Sequence, residues 1–319
     1  MRVVILPSVA GLDSYLEGLR RDFPQVQFVL CPDRAQLPAL MADAEVFFGP
    51  VGPDVVQHAP HLRWVQSIST GVDNMLAIPE LVKGDSLLTG ARGTHSACLA
   101  ESVFSMIFAF TRGIRDSIRL QQRHQWSQSG LRGGLRELSG SIMGLVGYGA
   151  MAQAISARAC AFDMRIIAVD LYPAPAAEGV AVRGMDGLED LLGKSDYVVV
   201  TVPAHPRTRG MIDARSLSLM KPDAMLIGIS RGGVIDQAAL ADALREKRLW
   251  AAALDVFESE PLPADSELWD LDNLLISPHI AGGTQFEGRN VAEIFRENLS
   301  RYLKGALPLR NQVDKTRGF

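Results

Sequence analysis

Three apolar runs in the second half of the chain each break off into residues able to do chemistry. Residues 224–229 lead into Ser230-Arg231-Gly232-Gly233, residues 251–254 into Asp255-Val-Phe-Glu-Ser-Glu260, and residues 274–277 into Pro278-His279-Ile-Ala-Gly-Gly283. If the runs are strands of an open α/β sheet, an arginine, two acids and a histidine collect at the carboxyl edge, where such sheets bind ligands. The set suits hydride transfer to a 2-keto acid. Arg231 offers the substrate carboxylate a planar, permanently charged, bidentate donor. The carbonyl oxygen gains negative charge as hydride reaches carbon, and His279 can supply the proton it needs. Glu260 would hold the imidazole in one orientation, and Asp255 would accept from a nicotinamide carboxamide. Singly, each residue also fits a blander role: Arg231 a surface ion pair, His279 a hydrogen-bonded loop histidine, Glu260 or Asp255 the cap of a turn.

A hydride donor needs a cradle, and residues 141–152 supply one. The apolar stretch Ser141-Ile-Met-Gly-Leu-Val-Gly147-Tyr-Gly149-Ala-Met-Ala152 breaks into G-x-G-x-x-A and continues into a helix-compatible segment. Gly147 permits the tight turn, Gly149 lets backbone approach a pyrophosphate, and Ala152 lets the helix pack close to the sheet. The pyrophosphate would rest on the unpaired N–H groups and positive dipole end of that helix. A second apolar run, residues 164–169, ends in Asp170, 21 positions after Gly149 (170 − 149), the separation of an acid that grips ribose hydroxyls. Its charge would repel a 2′-phosphate, so NAD is expected and NADP less so. Asp170 could instead bind only its own following turn.

These residues need a frame, and 319 residues with 47% hydrophobic content suffice for two domains. Strand-like runs at 3–6, 26–30, 46–48, 64–67 and 87–89 alternate with helical patterns such as 12–23, and their continuous hydrophobicity suits a parallel sheet covered on both faces. Six more runs follow residue 140, at 142–146, 165–169, 197–201, 224–229, 251–254 and 274–277, a doubly wound pattern. Between the two sets, residues 96–122 read as one long, largely buried helix with Val103, Ile107, Thr111, Ile114 and Ile118 near one face. Residues 126–138 read as an extended arm. A last helix, about 285–303, carries Val291, Phe295, Leu299, Tyr302 and Leu303 on a stripe that needs a surface to cover. The expected division is a nucleotide domain, 93–284, inserted into a smaller flavodoxin-like α/β substrate domain made of 1–92 plus 285–319.

Composition narrows the partners. A net charge of −4, with basic residues around 112–136 interleaved rather than clustered, argues against nucleic acid. The three cysteines, Cys31, Cys98 and Cys160, lack metal or redox spacing, so no metal site is expected and a reducing, cytoplasmic setting is. The longest apolar stretch, near residues 103–110, is well short of the roughly 20 residues that span a bilayer, so no membrane partner is expected.

The chain resembles the D-isomer-specific 2-hydroxyacid dehydrogenases, a family that includes glyoxylate/hydroxypyruvate reductases. The likeness rests on residues 144–152, on Met220-Lys-Pro-Asp-Ala through Arg231-Gly-Gly-Val-Ile-Asp236, on residues 253–263, and on Ser277-Pro-His-Ile-Ala-Gly282. It implies a Rossmann nucleotide domain, an NAD-dependent oxidoreductase acting on CH–OH donors, and a homodimer embraced by the helix after His95 and the arm near Trp126. Arg231 would bind and polarise substrate, Glu260 pair with His279, and His279 act as acid/base. The cofactor would meet Tyr148, Gly149, Ala150, Met151, Pro203, Thr208, Ile229, Ser230, Arg231, Asp255 and His279. Thr70 and Gly71, with Val51 and Gly52, would offer N–H groups to the substrate carboxylate across an interdomain cleft. Gly228 replaces an asparagine common in the family, and the lack of an extension after Phe319 suggests no separate regulatory domain. The alternative from another class is an NAD(H)-sensing interaction protein of the corepressor type on the same fold.

Overall fold

The computed structural model describes residues 1–7, 12–174 and 180–316. The chain forms two compact units, Met1–His95 with Gly283–Phe319, and Ser96–Gly282. The crossings thus fall at 95/96 and 282/283, a few residues from the expected 92/93 and 284/285.

The first unit is built on five parallel strands: β1 (Arg2–Ile5), β2 (Gln27–Leu30), β3 (Val46–Gly49), β4 (Trp64–Ser67) and β5 (Leu87–Thr89). Their order is β2-β1-β3-β4-β5, the flavodoxin-like arrangement. All four residues of β3 and of β4 are buried, as a sheet covered on both faces requires. The helix expected over residues 12–23 is shorter, Leu16–Asp22. The last helix, Glu287–Leu303, supplies one cover: Phe295 stacks at 4.3 Å on Phe48 and 5.3 Å on Trp64. Leu303, expected on the same stripe, is exposed.

Beneath that helix lies a buried polar network. Gln66 Oε1 accepts from Thr89 Oγ1 at 2.7 Å and from Asn298 Nδ2 at 3.0 Å, while Asn298 Oδ1 accepts from the Arg310 N–H at 2.7 Å. It fixes how helix, β4, β5 and the C-terminal segment meet, because a buried polar group without a partner is costly.

The second unit has seven parallel strands: β6 (Ile142–Val146), β7 (Arg165–Val169), β8 (Ala181–Arg183), β9 (Tyr197–Val200), β10 (Met225–Gly228), β11 (Ala251–Leu254) and β12 (Leu274–Ile276). The order β12-β11-β10-β9-β6-β7-β8 reverses direction between β6 and β9. That switch point is where doubly wound sheets bind nucleotides. β8 lies outside the six expected strands, since its three residues are partly or fully exposed at the sheet edge and carry no apolar run.

The single helix expected over 96–122 is two helices, Ser96–Thr111 and Ile114–Gln122, bent by 64°. Gly113 sits between them at φ +63°, a left-handed conformation that glycine adopts without a Cβ penalty. The turn carries Ile114 and Ile118 out of the core, each 50% exposed. The first helix stays inside through Val103 and Ile107. The arm holds one short helix, Gln128–Arg132, and Trp126 is 93% exposed. Among the described residues no single helix is long and apolar enough to cross a membrane.

Asn298→Ala removes three hydrogen bonds from the buried network of the first unit. Chemical denaturation is expected to show a loss of about 2 kcal/mol, the cost of leaving buried partners unsatisfied.

Candidate active site

The glycine turn after β6 is shaped by its own packing at one position and by open space at another. Gly147 has φ +95°, and a Cβ there would lie 2.8 Å from Thr201 Oγ1 and 3.1 Å from the Val202 nitrogen, so only glycine fits. A Cβ on Gly149 would meet nothing within 4 Å. No packing demands that glycine, and the space it leaves lies at the N-terminus of the helix Ala150–Ala161, which has no side-chain cap. A cradle that a Cβ would fill, on uncapped N–H groups, fits a dinucleotide pyrophosphate. Ala152, at 0% exposure, packs into the core as expected.

Asp170 follows β7 and has two backbone partners. One carboxylate oxygen accepts from the Tyr148 N–H at 2.7 Å, the other from the Tyr172 N–H at 2.8 Å. The second bond is the local turn anticipated from sequence. The first braces the glycine turn from the neighbouring strand and leaves a negative charge where the ribose would lie. The Tyr148 side chain is buried, with its hydroxyl 3.4 Å from Ser156.

On the other side of the switch point, Thr208 is 0% exposed. Its hydroxyl donates to Pro203 O at 2.7 Å and accepts from the His205 N–H at 2.9 Å. Its side chain therefore shapes the loop that carries Pro203. Ile229 and Ser230 have buried side chains, and the Ser230 carbonyl accepts from Arg231 Nη1 at 2.8 Å.

The three strands β10, β11 and β12 end side by side, and their loops bring Arg231, Glu260 and His279 together. His279 Nδ1 lies 2.6 Å from Glu260 Oε2. The other oxygen of Glu260 accepts from the Phe257 N–H at 2.9 Å. Partial burial raises the Glu260 carboxyl, but the bonds from His279 and Phe257 and the nearby His279 and Arg231 charges outweigh it and hold the group below its ordinary 4.5. It is therefore ionised at neutral pH and accepts from Nδ1–H. That leaves Nε2 as the nitrogen able to pass a proton to a substrate.

Two close approaches fix this geometry. A Cβ on Gly232 would fall 1.8 Å from Phe257 O and 2.8 Å from the Glu258 nitrogen, so the β10 loop carrying Arg231 lies directly on the β11 loop carrying Glu260. Asp255 is 1% exposed; its Oδ1 accepts from the Ile280 N–H at 2.9 Å and from Ser277 Oγ at 2.5 Å, and its Oδ2 from the Ala281 N–H at 3.0 Å. These bonds hold His279 at φ +54°, a conformation that costs a non-glycine residue about 1 kcal/mol or more. The sequence suggests Asp255 only as an acceptor for a cofactor carboxamide; its grip on the Ile280 and Ala281 N–H groups was not legible, because backbone donors leave no side-chain signal.

In the first unit, Thr70 and Gly71 follow the end of β4, and Val51 and Gly52 follow β3. Gly52 is overlain by the Arg34–Asp54 pair, joined at 2.6 and 2.7 Å, and a Cβ there would meet Arg34 Nη2 at 2.4 Å. At Gly228 the space of the family's asparagine is filled by Ile235 and Leu254, each 2.8 Å from where a Cβ would stand. Among the described residues no group of histidines, cysteines and acids could hold a metal ion.

A doubly wound sheet carries a dinucleotide cradle and a carboxylate-oriented imidazole on the same edge, the parts that a nicotinamide-dependent oxidoreductase requires. Residues 104–281 match the family model described as the NAD binding domain of D-isomer specific 2-hydroxyacid dehydrogenase. The chain belongs to that family, whose members are NAD(P)-dependent enzymes acting on CH–OH donors. It is 34% identical over 264 residues to a glyoxylate reductase of Pyrococcus furiosus, covering 81% of this chain and 78% of that one. It is also 34% identical over 255 residues to a D-3-phosphoglycerate dehydrogenase of Methanocaldococcus jannaschii, covering 80% of this chain. The chain spans about half the length of that relative, 48%. Among solved structures, an NADPH-dependent glyoxylate/hydroxypyruvate reductase of Sinorhizobium meliloti in complex with NADP superposes with a TM-score of 0.85 at 26% identity, covering 100% of this chain and 99% of that one.

Gly232→Ala is expected to force the Arg231 and Glu260 loops apart and lower kcat/KM by about 10²-fold or more, since misplacements near 1 Å cost that much; steady-state kinetics checks it. Glu260→Gln removes the negative partner of the imidazole. Glu260 is held below its ordinary 4.5 and so is charged throughout the neutral range, and the loss of that charge in Glu260→Gln is expected to lower kcat/KM across that range, read from a kcat/KM–pH profile.

Proposed function

We propose that this protein reduces a small 2-keto acid, of the size of glyoxylate or hydroxypyruvate, to the D-2-hydroxy acid with NADH as reductant. The observation that carries the reading is the 2.6 Å bond between His279 Nδ1 and Glu260 on the edge where the glycine turn meets the switch point. The nicotinamide, when bound, supplies the hydride. Gly149, Ala150 and Met151 hold its pyrophosphate, Asp170 its ribose, and the backbone around Pro203, Ile229, Ser230 and Asp255 borders the rest. Arg231 binds the substrate carboxylate and polarises the carbonyl. His279 gives the proton on Nε2 to the oxygen as charge builds there, and Glu260 stabilises and orients the ring throughout. Thr70, Gly71, Val51 and Gly52, at strand ends of the first unit's sheet, are assigned backbone contacts to the substrate.

The Asp170 charge opposes a 2′-phosphate and supports NAD, although solved structures similar to this chain hold NADPH or NADP. A homodimer is assigned because the helix Ile114–Gln122 has no buried residue and Trp126 is 93% exposed; a second copy would cover that apolar face. Among the described residues the three cysteines form no disulfide, which supports a reducing, cytoplasmic setting.

Oxidation of NADH and of NADPH, assayed against glyoxylate, hydroxypyruvate and pyruvate, is expected to show turnover with NADH preferred. No turnover with any keto acid would favour a nucleotide sensor. His279→Gln should lower kcat by about 10²- to 10⁴-fold while NADH binding, measured by fluorescence titration, stays unchanged.

A further inference from the structure

The loop after β4 is tied to groups that the reaction as proposed does not use. Thr70 Oγ1 lies 2.9 Å from Nδ1 of His95. The same nitrogen lies 2.8 Å from Thr94 Oγ1, whose hydroxyl donates to Ala91 O at 2.7 Å. Across the ring, Nε2 faces Glu287 at 3.6 Å, and His95 is only 9% exposed. All of these residues belong to the first unit.

A hydroxyl has one proton. Thr94 gives its proton to Ala91, so it does not compete with Thr70 for the Nδ1 lone pair, and it accepts from Nδ1 only when that nitrogen carries a proton. The Glu287 carboxylate facing Nε2 favours the tautomer with its proton there, which leaves the Nδ1 lone pair to receive the proton of Thr70. If both ring nitrogens carry protons, Nδ1 donates instead and still anchors Thr70. In either form the Thr70 side chain is fastened to His95. The loop is fastened beside it as well, with the Ala91 N–H donating to Ser69 O at 2.9 Å and the Ser69 N–H to Ser67 Oγ at 3.1 Å.

The anchor reaches both places where the chain passes between units. His95 is the last residue before one crossing, and Glu287 opens the helix Glu287–Leu303 just after the other. Asn290, one turn into that helix, donates to Thr94 O at 3.0 Å.

We infer that His95 is a positioning residue for substrate binding: by holding Thr70 it presents the N–H groups of Thr70 and Gly71 in one arrangement to the substrate carboxylate. The inference rests on the substrate assignment made above. It gives a task to a histidine whose sequence neighbourhood, Arg92-Gly93-Thr94-His95, carries no catalytic pattern.

The test compares wild type, His95→Ala, His95→Asn, Thr70→Val and the His95→Ala/Thr70→Val double variant, using glyoxylate at saturating NADH. Loss of one anchoring bond is expected to raise KM for glyoxylate about tenfold in His95→Ala and in Thr70→Val, with kcat changed less than about threefold and the NADH Kd unchanged. His95→Asn, whose amide oxygen can accept from Thr70, should recover most of the affinity. The double variant should be no worse than either single one. An unchanged KM in His95→Ala overturns the inference, as do additive effects in the double variant or a melting temperature and NADH affinity that fall as KM rises and are not rescued by His95→Asn. Absence of turnover in the wild type overturns the substrate reading itself and the inference with it, so the control separates the two failures.

Discussion

The bond between His279 Nδ1 and Glu260, 2.6 Å long, is the interaction on which the rest of the site depends. It gives the imidazole a fixed orientation and a nearby negative charge, and it leaves Nε2 as the nitrogen able to pass a proton. An exposed histidine and glutamate would not hold such a bond unaided, because two mobile side chains lose entropy when they pair. The backbone does the holding. Asp255 fastens the residues on one side of His279, the Phe257 N–H fastens Glu260, and Gly232 lets the Arg231 loop lie directly against the loop that carries Glu260.

That arrangement follows from the sheet. β10, β11 and β12 are parallel neighbours in register, so the loops leaving them emerge at one edge although Arg231 and His279 are 48 positions apart (279 − 231). The same parallel order puts the glycine turn after β6 beside the switch point with β9. The loop carrying His279 and the glycine turn after β6 are thereby brought to one edge by strand order alone.

Much of this was legible in the amino-acid sequence for a physical reason. Strands buried on both faces are written as unbroken apolar runs, and the runs at 197–201 and 46–48 read as strands on that ground. Residues that must follow strand ends then appear at fixed offsets. What escaped reading depends on tertiary partners. Gly113 looks tolerable inside a helix, yet the Arg136 N–H donating to Thr111 O, and Leu135 packed beside Gly113, go with a bend there. β8 is an edge strand with exposed residues and no apolar signature. The roles of Asp255 on the His279 loop, of Asp170 on the Tyr148 N–H and of Thr208 inside its own loop rest on backbone partners, which leave no trace in residue type.

A crystal structure of the protein with NADH and oxamate, an inert analogue of a 2-keto acid, tests the central claim most directly. The account predicts His279 Nε2 within about 3 Å of an oxamate oxygen, Glu260 still bonded to Nδ1, and the Arg231 guanidinium on the oxamate carboxylate. An imidazole turned away from the ligand, or another side chain in the proton-donating position, would contradict it.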